Sequence, residues 1–158
     1  MPLHKVFVYG TLKKGEPNHH WITDTSKGHA KLLGNGTTID KYPLIIGTKY
    51  NIPFLLDAPG KGHNVAGEVY EVDDGMLMHL DVLEDHPSFY KRQLRSVNLI
   101  GSEEITCWIY LLQNFKPDLL SYDLLSDYRS AGSHERPYTE RYLREPSYDY
   151  KNDILLSS

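Results

Sequence analysis

The sequence predicts a strand-rich α+β domain with a barrel-like sheet and one well-defined helix. Three observations carry this. Val65 to Val72 alternates as VAGEVYEV, the period of a half-buried strand. Directly after it, Asp73-Asp74 reads as the cap of a helix over about Gly75 to Asp85, stopped by His86-Pro87. Two further strand-like runs follow, Arg92 to Ile100, which alternates less cleanly, and the more buried Ile105 to Leu112.

The elements before these fit the same picture. Lys5-Val6-Phe7-Val8-Tyr9 is β-branched and aromatic, hence a strand, and it stops at Gly10-Thr11. Lys13 to Asn18 reads as loop, with a short helix from about Asn18 to Thr23. Ala30 to Asp40 is interrupted by glycine and asparagine, so a strand there is irregular. Pro43-Leu44-Ile45-Ile46 and Pro53-Phe54-Leu55-Leu56 each begin at a proline, which suits edge or bulged strands. After Pro117 the chain turns polar and tyrosine-rich, with turn signals at Ala131-Gly132-Ser133. Residues 1–145 are expected to form the domain and 146–158 a mobile tail.

With 158 residues there is room for one domain with a real core. The net charge of −4 gives no footprint for a nucleic-acid partner. No apolar run approaches the roughly 18 residues of a membrane span. The opening MPLHKVFVYG has no long apolar core, so a leader peptide is not expected. A single cysteine, Cys107, excludes an internal disulfide, and a cytoplasmic location is expected. In Ile105-Thr106-Cys107-Trp108 it reads as a small buried hydrophobe. His19 and His20 are adjacent and diverge on a helix, and no zinc spacing is present; no metal and no cofactor is expected.

Two features point to chemistry. On the predicted helix, Leu77, Leu80 and Leu83 mark the core side. At about 100° per residue, Glu84 lies within roughly 40° of both Leu77 and Leu80. A carboxylate on that side is costly unless paired or functional, and the negative end of the helix dipole adds to the cost. Both effects raise its pKa toward neutrality, as a proton shuttle requires. The alternative is a glutamate that bends out to solvent at a fraying helix end. Asp81 and Asp85 compete for the role, with Asp85 pointing further toward solvent. The second feature is Tyr9-Gly10-Thr11-Leu12, where Gly10 permits an unusual turn that aims consecutive N–H groups at one anion. The competing reading is a plain strand-ending turn.

Taken together, the motifs resemble the γ-glutamyl cyclotransferase-like superfamily. Val6-Phe7-Val8-Tyr9-Gly10-Thr11-Leu12-Lys13 is similar to its strand and substrate loop. Leu80-Asp81-Val82-Leu83-Glu84, followed by Pro87 and Phe89-Tyr90-Lys91-Arg92, is similar to its catalytic segment. Pro17-Asn18-His19, Tyr42-Pro43-Leu44-Ile45, Asn51 to Leu56, Gly67-Glu68-Val69-Tyr70, and Tyr128 to His134 with Tyr138 and Arg141 resemble one branch, γ-glutamylamine cyclotransferase. The resemblance implies a small mixed β-barrel flanked by helices, in the α+β class. It implies a small γ-glutamyl amide as substrate, Glu84 as proton shuttle, and Tyr9, Gly10, Thr11 and Leu12 as the substrate loop. The loop's N–H groups would hold either the substrate carboxylate or the oxyanion. Asn18, Tyr90, Tyr128 and His134 are candidates for specificity, the last two in a late segment expected to fold over the barrel mouth. Activity on γ-glutamyl amino acids or glutathione, and a non-catalytic binding role, are the alternatives.

Overall fold

The computed structural model describes residues 3–101, 104–132, 134, 136–145 and 147–156; Ser133 and Pro146, named above in a turn and at the start of the tail, lie outside them. Seven strands form: β1 (Leu3–Val8), β2 (Ala30–Tyr42), β3 (Leu44–Gly47), β4 (Ile52–Leu55), β5 (His63–Asp73), β6 (Tyr90–Leu99) and β7 (Glu104–Leu112). Two α-helices accompany them, α1 (His19–Thr23) and α2 (Asp74–Leu83).

Five strands close into a barrel in the order β1-β5-β2-β6-β7. β1 joins the ends: it runs antiparallel to β5, with Val6 opposite Tyr70, and parallel to β7, with Val6 opposite Trp108. The sheet is therefore mixed and has no free edge. Closure needs a close approach at Gly67, where a Cβ would lie 2.3 Å from the Val8 carbonyl oxygen and 2.6 Å from the Phe7 ring. β2 carries the expected irregularity as register shifts between Leu32 and Gly34 and between Thr37 and Lys41. The two proline-led runs pair with each other outside the barrel, Leu44 opposite Leu55 and Ile46 opposite Pro53.

Alternation along the strands sorts the core into two parts. Phe7, Val69, Val97, Cys107, Ile109 and Leu111 pack together on one face. Val6, Val8, Tyr70, Val72, Tyr110 and Leu112 face the other way, where α2 covers them with Met76, Leu77, Leu80 and Leu83. The leucine spacing thus marks the buried side of α2, while Met78 and Val82 are exposed. Asp73 caps the helix, its carboxylate accepting the Met76 N–H at 2.9 Å. The helix ends two residues earlier than the pattern suggests: Glu84 is its C-cap, and Asp85 takes a positive φ of 55°.

Of the segment expected to be a mobile tail, the described residues 147–156 include a packed part around Ile154. Ile154 is buried, its carbonyl accepts the Lys116 N–H at 2.8 Å, and Leu155 bridges to Phe115. The physical reason is an apolar Ile154-Leu155 pair that finds cover beside Phe115 and Leu119. Among the described residues no helix is long and apolar enough to cross a membrane.

Candidate active site

A cavity of about 170 Å³ opens where the end of β1, the end of α2 and the late segment meet. Its walls contain the whole predicted substrate loop, Tyr9 to Leu12, together with Glu84, Asn18 and Tyr90. The structure thus gathers seven of the nine predicted site residues around one space, leaving out Tyr128 and His134.

Glu84 reaches this space because the helix stops beneath it. Its N–H still bonds to the Leu80 carbonyl at 2.9 Å, so the residue keeps the register of the buried leucine face. The carboxylate is surrounded by protein yet keeps a window to the cavity mouth. Burial pushes its pKa up from 4.5 to about 7, and Arg141 pulls in the opposite direction without cancelling the effect. No side-chain hydrogen bond to another described residue fixes the carboxylate, which leaves it available to a ligand.

The two competing carboxylates are occupied elsewhere. Asp81 accepts two hydrogen bonds from Arg92, at 2.8 and 3.2 Å, and one from the Tyr110 hydroxyl at 2.7 Å. Asp85 is exposed and pairs with Lys151.

The loop is held from outside the cavity. Lys13 N–H closes a turn on the Gly10 carbonyl at 3.2 Å, and Asn18 N–H bonds to the Thr11 carbonyl at 2.8 Å. The Asn18 side chain donates to Thr11 Oγ1 and to the Tyr138 hydroxyl, both at 3.0 Å. Lys13 is buried and points away, its ammonium on Asp127 at 2.8 Å and on the Tyr128 carbonyl. Among the described residues, the N–H groups of Gly10, Thr11 and Leu12 donate to no protein acceptor. Unpaired amides beside a cavity are donors in search of a ligand.

Gly10 is needed for a different reason from the one the sequence offered. Its φ is not in the positive region. Instead a Cβ there would sit 2.9 Å from Pro53 Cγ, so the glycine allows β4 to approach the loop. The aromatic walls are fixed as well. The Tyr9 hydroxyl donates to the Tyr110 carbonyl at 2.9 Å and the Tyr90 hydroxyl to the Pro53 carbonyl at 3.2 Å. Burial, with the nearby Glu84 charge adding to it, holds both phenols well above their ordinary pKa.

Tyr128 and His134 are not brought to the cavity. Tyr128 is fully buried with the barrel core, and His134 stacks on it with ring centroids 6.1 Å apart. The late segment does reach the mouth, through Tyr138 and Arg141, and the chain beyond it adds Arg144, Tyr150 and Lys151. Sequence reasoning missed the last three because nothing local marks them. An aromatic and basic cluster in a stretch otherwise read as tail was the one available signal.

Comparison with known proteins agrees with this geometry. The family profile described as "Gamma-glutamyl cyclotransferase, AIG2-like" matches residues 6–130. The chain is 51% identical over 143 residues to CG2811 of Drosophila melanogaster, provisionally named a gamma-glutamylcyclotransferase, covering 90% of each chain. It is 42% identical to the gamma-glutamylaminecyclotransferase of Rattus norvegicus, covering 86% of this chain and 96% of that one. Its fold superposes on the crystal structure of an AIG2-like protein from Mus musculus with a TM-score of 0.88 and 41% identity, covering 91% of this chain and all of the other. A matching fold, a family profile over most of the chain and sequence identity across nearly the whole length all point the same way: the chain belongs to the γ-glutamyl cyclotransferase, AIG2-like family.

Proposed function

We propose that this protein is a γ-glutamylamine cyclotransferase, converting an L-γ-glutamyl amine to 5-oxoproline and the free amine, with Glu84 as the proton shuttle. The observation that carries the reading is the meeting, in one cavity, of a carboxylate with a pKa of about 7 and three consecutive residues whose amides have no partner among the described residues. Relatives named gamma-glutamylaminecyclotransferase, at 42% identity in Rattus norvegicus and 40% in Homo sapiens, support the substrate class.

The reaction is intramolecular. The substrate's α-amino nitrogen attacks its own γ-carbonyl carbon, a ring C–N bond forms, and the amide C–N bond to the amine breaks. Holding the folded conformer removes much of the entropic barrier. The α-ammonium first gives a proton to Glu84, which a carboxylate near neutrality accepts readily. That proton then passes to the departing nitrogen, and the carboxylate so regenerated takes the second proton from the ring nitrogen, which leaves with the amine as its ammonium ion. The loop amides of Gly10, Thr11 and Leu12 supply donors to an anionic group of the substrate, the carboxylate or the tetrahedral oxygen. Tyr9 and Tyr90, their hydroxyls bonded to backbone carbonyls, wall the site beside Glu84.

The test is release of 5-oxoproline from a panel of γ-glutamyl amines, γ-glutamyl dipeptides and glutathione. The reading expects the amines to be turned over with the highest kcat/KM. Preference for glutathione or the dipeptides would reassign the substrate. Binding of 5-oxoproline without turnover of any member would leave a non-catalytic binding protein.

A further inference from the structure

The family profile ends at residue 130, yet five side chains of the cavity mouth come after it. We propose that this C-terminal stretch forms the wall against the leaving amine, and that Tyr150 is a specificity-determining residue. The inference rests on the cyclotransferase reading above.

Orientation follows from burial. The loop end of the cavity is its floor: Gly10 and Leu12 are buried, and their amides are the donors. If the glutamyl half lies on those donors with its γ-carbonyl beside Glu84, the amine half extends toward the mouth. The mouth is made of the more exposed Arg141, Arg144, Tyr150 and Lys151.

Tyr150 is built into that position rather than draped over it. It begins a 3-10 turn, Tyr150–Asp153, whose start is capped by Asp149, the carboxylate accepting the Lys151 N–H at 3.0 Å. Its ring meets Phe89 edge-on at 6.1 Å and Tyr50 at 6.2 Å, and the Arg144 guanidinium lies 5.3 Å from its centre. The next residue, Lys151, pairs with Asp85 and sits 4.9 Å from the Phe89 ring. Asp85 is the neighbour of Glu84, so the turn is tied to the chain segment that carries the proton shuttle. Buried Ile154 anchors the other end. An aromatic ring so fixed presents an apolar face to a passing alkyl chain.

The experiment compares kcat/KM for 5-oxoproline release from γ-glutamyl methylamide and from a γ-glutamyl amide of a four- or five-carbon chain. In Tyr150→Ala the ratio of long to short substrate should fall by about tenfold or more, the range that lost apolar contacts produce. Tyr150→Phe should restore the wild-type ratio. An unchanged ratio in Tyr150→Ala, or a ratio that Tyr150→Phe fails to restore, overturns the assignment. Should Tyr150→Ala not fold, Tyr150→Gln, which keeps bulk but replaces the apolar face with a polar end, carries the same comparison with the same outcomes. A wild-type chain that releases 5-oxoproline from neither substrate refutes the cyclotransferase function itself, and the role of Tyr150 with it. An active wild type with an unmoved ratio refutes only the role of Tyr150.

Discussion

Glu84 shows how surroundings set the chemical properties of one residue. Its backbone continues the leucine register of α2, while its position at the C-cap turns the carboxylate into the cavity. Burial raises its pKa from 4.5 to about 7, so the native state binds that proton more tightly than the unfolded chain does. The sign follows: the native state is favoured below the unfolded value and loses this advantage as pH rises through the folded value. The loss across that window is on the order of 3 kcal/mol. Glu84→Gln removes the titration. Its melting temperature relative to wild type should therefore rise between pH 5 and pH 8, measured by calorimetry at each pH. A constant difference would mean that the carboxylate is solvated as in the unfolded chain. The helical spacing in the sequence made this residue visible, because the leucines four and seven positions before it, Leu80 and Leu77, share its face. What spacing alone could not decide was the fate of Asp81, whose partners Arg92 and Tyr110 lie on β6 and β7.

At the scale of elements, the site depends on how a loop, a helix end and two strands are clamped together. The loop after β1 presents backbone donors, so its side chains matter less than its path. Thr11→Ala keeps every N–H and should weaken 5-oxoproline binding about twofold to fivefold, through loss of the Asn18 contact alone. Gly10→Val forces a branched side chain onto Pro53, 2.9 Å from where its Cβ would stand, and should weaken binding far more. Isothermal titration of both variants checks this; equal, small effects would show that the loop path is not what binds. The sequence pointed to Gly10 but gave the wrong cause, since the constraint comes from β4, more than forty residues away in the chain. The Asp81, Arg92 and Tyr110 cluster braces α2 against the barrel wall. With both charged side chains about one-fifth exposed, Asp81→Asn should cost about 2 kcal/mol in urea unfolding. A cost within experimental error would make the cluster a surface pair of no structural weight.

At the scale of the whole molecule, the barrel places the start of the chain beside its end. β1 lies between β5 and β7, and the loop it feeds is tied to residues 127–130 by Lys13 and Glu16. Lys13→Met keeps the length but cuts this tie. It should destabilise the fold by about 1–3 kcal/mol and raise the dissociation constant for 5-oxoproline, read by denaturant unfolding and titration. No change in either would detach the loop from the late segment. Strands and α2 were legible because their signals are local: alternation, leucine spacing and an aspartate cap. The rim was not, because Lys151 and Asp85 are 66 residues apart and no pattern links them. Tyr128, a reasonable candidate by its aromatic neighbourhood, turned out to fill the core instead. The central claim is that Glu84 moves the proton in a cyclisation. It is tested most directly by 5-oxoproline release from a γ-glutamyl amine by wild type and by Glu84→Gln, both shown to be folded and to bind 5-oxoproline. The account predicts a fall in kcat of at least about a hundredfold in the variant; full turnover by Glu84→Gln would contradict it.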